Sequence, residues 1–288
     1  TPNWRLDNVS GPDRIFLEIR ELDAEGERAS LIVSRDEVLR WETLDETEIA
    51  DAVLRQTQQA SAEMARFVEG RRMLLAAVAA APAVRRLEVG ECNAFLAELA
   101  RATPSARAIL VIDLDGRLRC RHAPLDTATN YADRDYFRLA LEQRDFVVGT
   151  LTRPRNDPAR TVLPFATPVM GPDGEPVAVA VTSVETDYLN GLINGWALGR
   201  GGNLTIADRN GVILARNPLP ERFVGNRIPD QFQPWVRGAR PGLDRAMSQD
   251  GTRRVIAYKP AALPPNGLYV STGLSEGEAF ETIDKARR

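Results

Sequence analysis

At 288 residues the chain is longer than one ordinary compact core and matches two modules of about 100 to 150 residues each. With 43% apolar and 27% charged residues it has the composition of a folded protein, and 37 Lys plus Arg against 40 Asp plus Glu leave a net charge of -3. That balance offers no basic field for phosphates, so nucleic acid is not an expected partner. The longest apolar run, MLLAAVAAAPAV from Met73 to Val84, falls short of the roughly 20 residues that a membrane helix needs and contains a proline. No membrane span or signal peptide is read in the chain, which leaves two readings open: a soluble protein, or a segment lying between two membrane helices.

Taken in chain order, residues 1–43 form an extension. IFLEIREL and ASLIVS alternate apolar and polar residues around DAEGE, which predicts a hairpin over Ile15 to Ser34. Residues 44–82 are then read as one long helix. Ile49, Val53, Ala60, Met64, Phe67, Leu74, Leu75 and Val78 recur at helical spacing, Thr43 or Asp45 can cap the start, Glu46 and Glu48 suit the first turn, and Pro82 marks the end. At 1.5 Å per residue it would reach roughly 55 Å. Thr57 and Arg71 interrupt its apolar stripe.

Beyond the helix a repeat appears. AILVIDLDGRLRCR (Ala108 to Arg121) and NLTIADRNGVILAR (Asn203 to Arg216) both read as strand, acidic turn with glycine, strand, and each is followed by a helical or loop segment and a second strand pair. The spacing is 203 minus 108, or 95 residues. The expected fold is α+β: a long N-terminal helix carrying two tandem modules with antiparallel sheets, 83–189 and 190–288, with a junction between Asp187 and Gly202.

The chemistry-bearing residues are few. His122 is the only histidine, which excludes a two-histidine dyad or a multi-histidine metal site within one chain, and it is read as a surface residue. GRGGN (Gly199 to Asn203) lacks the lysine and following helix of a phosphate loop, and DLDG lacks the spaced ligands of a calcium loop, so both are read as turns. A hydrolase is disfavoured, since no nucleophile elbow is present. No enzyme activity, cofactor or metal is expected.

The long helix, the two halves, the segment NYADRDYFRLAL (Asn130 to Leu141) and the C-terminal GLSEGEAFETIDKARR together resemble the double Cache sensor family, over about Leu44 to Ala286. The resemblance implies PAS-like modules and the periplasmic or other extracytoplasmic input region of a bacterial receptor (a histidine kinase, diguanylate cyclase or chemoreceptor) anchored in the membrane in its full-length form. The exit helix then leads to the second membrane span, and a weak parallel homodimer through the long helix is implied. The alternative is a free periplasmic binding protein without signalling output. The family's ligand sits in the distal module, here Leu87 to Glu185. Arg134, Tyr136, Phe137 and Ala140 fall on the first part of the motif of its amino-acid-binding members, with both aromatics altered, while the aspartate that would receive an amino group aligns with Ser183. The expected ligand is therefore a small anion such as a carboxylate. Arg134 would hold it beside Tyr131 and Tyr136, with Thr150, Thr182 or Ser183 as neutral partners; the other role open to Arg134 is an ion pair with Asp133 or Asp135. Phe137 is read as core. In a periplasmic setting the two cysteines, Cys92 and Cys120, point to a disulfide, two buried thiols being the alternative.

Overall fold

The computed structural model describes residues 3–8, 16–23, 26–123, 129–196, 198, 201–264 and 267–277, with side chains from Thr47 onward. The chain divides into a smaller unit, which includes residues up to Ala52, and a larger one, Val53–Glu278. The smaller unit holds a three-stranded antiparallel sheet of β1 (Asn3–Asn8), β2 (Phe16–Asp23) and β3 (Gly26–Ser34). β2 and β3 are the expected hairpin, apart from Ile15, which lies outside the described residues. β1 adds a strand that the sequence reading did not separate from the extension.

Helix α1 (Arg35–Ala80) begins ten residues, 45 minus 35, before the expected cap at Asp45. RDEVLRWETL contains no glycine or proline and consists largely of residues that tolerate a helix, so the capping residue types at Thr43 and Asp45 do not start one there. Val53, Ala60, Met64, Val68, Leu75 and Val78 are buried along one face. The two polar interruptions of this stripe are both bonded, one to the second sheet and one to the turn that leads into the first. The Thr57 hydroxyl lies 2.6 Å from that of Thr272, and the Arg71 guanidinium donates to Ser105 Oγ at 2.6 Å.

Two five-stranded sheets follow. After α2 (Pro82–Arg85) and α3 (Val89–Ala102), the first sheet is built from β4 (Ala108–Asp113), β5 (Leu118–Arg121), β6 (Val147–Val148), β7 (Val162–Met170) and β8 (Pro176–Glu185), in the order β5-β4-β8-β7-β6, with α4 (Asp135–Gln143) inserted between β5 and β6. α5 (Thr186–Asn194) leads into β9 (Asn203–Asp208), β10 (Ile213–Asn217), α6 (Pro220–Phe223), α7 (Gln233–Arg237), β11 (Gly242–Met247), β12 (Arg253–Lys259) and β13 (Leu268–Ser275), and the second sheet has the order β10-β9-β13-β12-β11. The two orders are identical when each sheet's strands are numbered from its own first strand, and all pairings are antiparallel. This is the fold expected from the repeat.

The repeat is physical as well as topological. Asp113 Oδ1 accepts from the backbone N–H groups of Asp115 and Arg117, and Asp208 Oδ1 accepts in the same way from Asn210 and Val212. Each turn then needs a residue at positive φ, supplied by Gly116 (φ +82) and Gly211 (φ +77). The last residue of each copy, Arg121 and Arg216, donates its backbone N–H to an asparagine on the preceding helix, Asn93 of α3 and Asn190 of α5. α5 therefore belongs with the sheet that follows it, whereas the expected division at 189/190 would cut it in mid-helix.

Strand alternation separates the faces of each sheet. Ile109, Val111, Phe165, Ala180 and Val184 of the first sheet share one buried cluster with Leu204, Ile206 and Val270 of the second and with Met64, Leu75 and Leu96 from the helices. The opposite face of the first sheet packs Leu110, Ile112, Val179 and Val181 with Tyr136, Phe137 and Ala140 of α4, which makes Phe137 core as expected. Cys92 in α3 and Cys120 in β5 form a disulfide, with Cα atoms 5.9 Å apart, beside the Asn93–Arg121 bond. Among the described residues no helix is long and apolar enough to cross a membrane; the expected exit stretch GLSEGEAFETIDKARR begins as the last residues of β13, and its part after Gly277 lies outside the described residues.

Candidate functional site

The face of the first sheet that carries α4 is not fully covered by it, and the uncovered part is a cavity of about 230 Å³. β4 supplies Ala108 and Leu110 to its floor, β7 supplies Val162 and Pro164, and β8 supplies Val181 and Ser183. Its walls are the entry to α4, which brings Tyr131, Arg134 and Tyr136, and the stretch from Thr152 to Asn156 between β6 and β7. Arg107 and His122 close the remaining side.

Of the residues read from the sequence, the cavity brings together Tyr131, Arg134, Tyr136 and Ser183. Two are elsewhere. Thr182 neighbours Ser183 on β8, and in a strand consecutive side chains point to opposite faces; it is buried on the face away from α4, opposite Ile109 and Phe165, and its hydroxyl donates to the carbonyl of Ala108 at 2.9 Å. Thr150 donates to Asp135 Oδ2 at 2.7 Å and so fixes the first turn of α4 instead of facing the cavity. His122, read as a surface residue, lines the cavity and is partly buried.

The sequence reading missed Arg107, Arg153 and Arg155. Together with Arg134 they give the cavity four guanidinium groups, and none of its described lining residues is acidic. Their situations differ. Arg155 is engaged by both oxygens of Asp133 at 2.6 Å, which holds that carboxyl below its usual range. Arg107 lies 3.0 Å from Asp157 and 2.7 Å from Glu185. Arg134 instead donates to neutral groups, the Thr152 hydroxyl at 2.6 Å and the Arg153 carbonyl at 3.2 Å, while its buried Nε has no hydrogen-bond partner. The ion pair with Asp133 or Asp135, the other role open to Arg134, is therefore not formed as a direct bond: Asp133 pairs with Arg155, and Asp135 accepts from Thr150 and from the backbone of Tyr136.

Two further groups complete the electrostatics. Burial pushes the Tyr136 phenol up, against the opposing pull of Arg134, so its hydroxyl stays neutral and able to donate. Burial lowers His122 and Arg107 adds to the effect, against a backbone hydrogen bond with Ile109 that pulls it up; in the neutral form Nδ1 accepts the Ile109 N–H, 3.2 Å away. Chemically, the site combines cationic donors and neutral hydroxyls with the apolar side chains of Leu110, Val162, Pro164 and Val181. That suits a small molecule with an anionic head and an apolar part. Among the described residues no His, Cys, Asp and Glu group is arranged to hold a metal.

Comparison with known proteins places these features in context. The family model described as a Cache domain, of the dCache_1 type, matches residues 43–283. No curated protein matches. Among solved structures, the extracellular domain of rpHK1S-Z16 is 19% identical, covering 83% of this chain and 97% of its own, with a TM-score of 0.64. The ligand-binding domain of the Pseudomonas aeruginosa PAO1 amino acid chemoreceptor PctB, in complex with L-Arg, is 16% identical over 79% of this chain and 95% of its own, with a TM-score of 0.62. That of the Pseudomonas fluorescens chemoreceptor CtaA, in complex with L-serine, is 15% identical over 82% and 99%, with a TM-score of 0.63.

Proposed function

This chain belongs to the Cache domain family, and from that premise we propose that it is the extracytoplasmic ligand-sensing region of a membrane receptor, taking a small organic anion into the cavity of its first sheet. The observation that carries the choice of ligand is Arg134, a partly buried cation whose hydrogen bonds go to a hydroxyl and a carbonyl, in a cavity with three more arginines and no acidic lining among its described residues. The similar chemoreceptor domains are complexes with amino acids, which also carry a carboxylate. What differs here is the end that would hold an ammonium group: Ser183 offers a hydroxyl and no charge. A carboxylate without a neighbouring amine is favoured by that difference. The role is binding, not catalysis.

The means of signalling follows from what Arg134 releases. A bidentate carboxylate replaces the Thr152 hydroxyl and Arg153 carbonyl as partners of the guanidinium, because charge-assisted bonds are roughly twice as strong as neutral ones. Thr152 is adjacent to Leu151, whose N–H donates to Asp208 Oδ2 of the second sheet at 2.9 Å. A shift of this segment on binding thus reaches the second module through one residue. Such a shift favours one arrangement only to the extent that the ligand binds it better.

The test is a thermal-shift screen of monocarboxylates, dicarboxylates, amino acids and amines, followed by calorimetric titration of the wild type and two variants. A carboxylate should raise the melting temperature. Arg134→Ala should weaken binding by about 2 kcal/mol, roughly thirtyfold, and Arg134→Lys should restore part of it because an ammonium cannot reproduce the planar fork. A purely cationic ligand, or unchanged affinity in folded Arg134→Ala, would overturn the reading.

A further inference from the structure

The second sheet has a cavity on the corresponding face. Thr205 pairs with Ser271 as Leu110 pairs with Val181, and these pairs line the two cavities at matching places. The second cavity is far smaller, about 30 Å³, which is room for a single water or a monatomic ion. Its lining includes the polar residues Asn203, Thr205, Arg216, Ser248, Gln249 and Ser271, with Tyr269 beside them.

Its charge does not balance. Arg216 is 2% exposed. It donates to Thr205 Oγ1 at 2.8 Å and Ser248 Oγ at 3.4 Å, its plane lies over the Phe223 ring at 4.3 Å, and its buried Nε has no hydrogen-bond partner. The nearest carboxylate, Asp250, stands 3.6 Å from one of its nitrogens and is shared: Arg254, also buried, binds Asp250 at 2.5 Å. Two guanidinium groups therefore meet one carboxylate. Tyr269 adds no second negative charge, because burial pushes its phenol up and keeps it neutral. Burial lowers the Arg216 pKa to about 10 in spite of Asp250, and the nearby Arg254 charge adds to the effect.

A buried charge without a full counter-charge is costly, and a ring face offsets only part of that cost. A water in the cavity would satisfy hydrogen bonds but supply no charge. We propose that the cavity of the second sheet binds one small monovalent anion of halide size, held by Arg216 with the Thr205, Ser248 and Ser271 hydroxyls around it. The volume excludes the organic anion assigned to the first cavity, so the two sites take different members of one charge class. The halide is a structural ligand of the second module, completing the charge of its core.

The experiment uses the whole chain, as wild type and as Arg134→Ala, in which gluconate, itself a carboxylate, has lost its anchor in the first cavity; chloride replaces sodium gluconate at fixed ionic strength, and wild-type crystals are grown in bromide. The melting temperature should rise with chloride and saturate, and anomalous scattering should place a bromide between Arg216 and Ser248. Thr205→Val and Ser248→Ala keep the arginine and its carboxylate; each should raise the apparent chloride Kd by about tenfold, the worth of one hydrogen bond to a charged group. Equal melting temperatures of Arg134→Ala in the two salts would overturn the proposal, as would bromide found on the surface alone. A chloride response lost in Arg134→Ala but kept in Ser248→Ala would assign the ion to the first cavity and overturn it equally.

Discussion

His122 shows how one residue ties the first cavity to pH. Its imidazole is lowered from the ordinary value of 6.5 chiefly by burial and further by Arg107, against the upward pull of a backbone hydrogen bond with Ile109, and as a neutral ring it accepts the Ile109 N–H. The folded state thus holds fewer protons on this residue than the unfolded chain does. Its contribution to stability is complete above the unfolded value and is lost as pH falls through the lower folded one. An anion in the cavity reverses the preference, because a protonated His122 adds a cation to the lining and can turn Nδ1 to donate to the Ile109 carbonyl, 3.4 Å away. Between pH 8 and pH 6 the affinity for a carboxylate should therefore rise, by roughly 1 kcal/mol or about fivefold. His122→Gln should flatten that rise, and titration at the two pH values checks it; an equal rise in the variant would move the effect to another group. The sequence reading placed His122 on the surface because a lone histidine carries no local signal of its surroundings. Arg134, Tyr131 and Tyr136 line the cavity from one short segment that resembles the family's motif, and Ser183 lines it at the position aligned with the family's aspartate. The alternation of side chains along β8 excludes Thr182, since it and Ser183 cannot share a face. Arg107, Arg153 and Arg155 reach the cavity through the path of loops between strands, which no local pattern encodes.

At the scale of elements, what the sequence made legible is what neighbouring residues determine. The acidic turns ending in Gly116 and Gly211 require glycine at positive φ, so their repeat announces two equivalent hairpins. The start of α1 and the place of α5 depend on packing partners far along the chain, and both differed from expectation. α3 is held to β5 by two neighbouring ties, the Cys92–Cys120 bridge and the Asn93–Arg121 bond. α5 is held to β10 by the asparagine bond, Asn190 to Arg216. The disulfide is thus an addition to a joint that the second module makes without it. With a sequence separation of 28, the chain-entropy model gives the bridge about 3–4 kcal/mol of stability. The double variant Cys92→Ser, Cys120→Ser should retain the fold, since Asn93 keeps the register of α3, while losing stability of that order. Denaturant unfolding with and without reductant measures it, and reductant should have no effect on the variant.

At the scale of the larger unit, the question is how the first cavity can act on the second module. Leu151 and Asp208 offer a specific answer. Asp113 and Asp208 do the same work in their two turns through Oδ1, but Asp208 is fully buried and uses Oδ2 to accept the Leu151 N–H, one residue from the Thr152 hydroxyl that Arg134 holds. Burial raises the Asp208 carboxyl and its backbone donors pull it back down, so part of the cost of an ionised group there is already offset. Asp208→Asn leaves Oδ1 able to serve the turn and sets an amide N–H₂ against the Leu151 N–H, a donor against a donor. Loss of the bond costs about 1–3 kcal/mol, reduced by removal of the buried charge, so the variant should fold. It should also bind the ligand of the first cavity nearly as well as the wild type, because Arg134 and Thr152 are intact. What should change is the reach of binding. In the wild type a saturating carboxylate should alter amide hydrogen exchange across the turn from Asp208 to Val212, and in Asp208→Asn that response should vanish while protection in the first module persists. An undiminished response in the variant would show that the modules communicate by another route, with the shared core along α1 the next element to test.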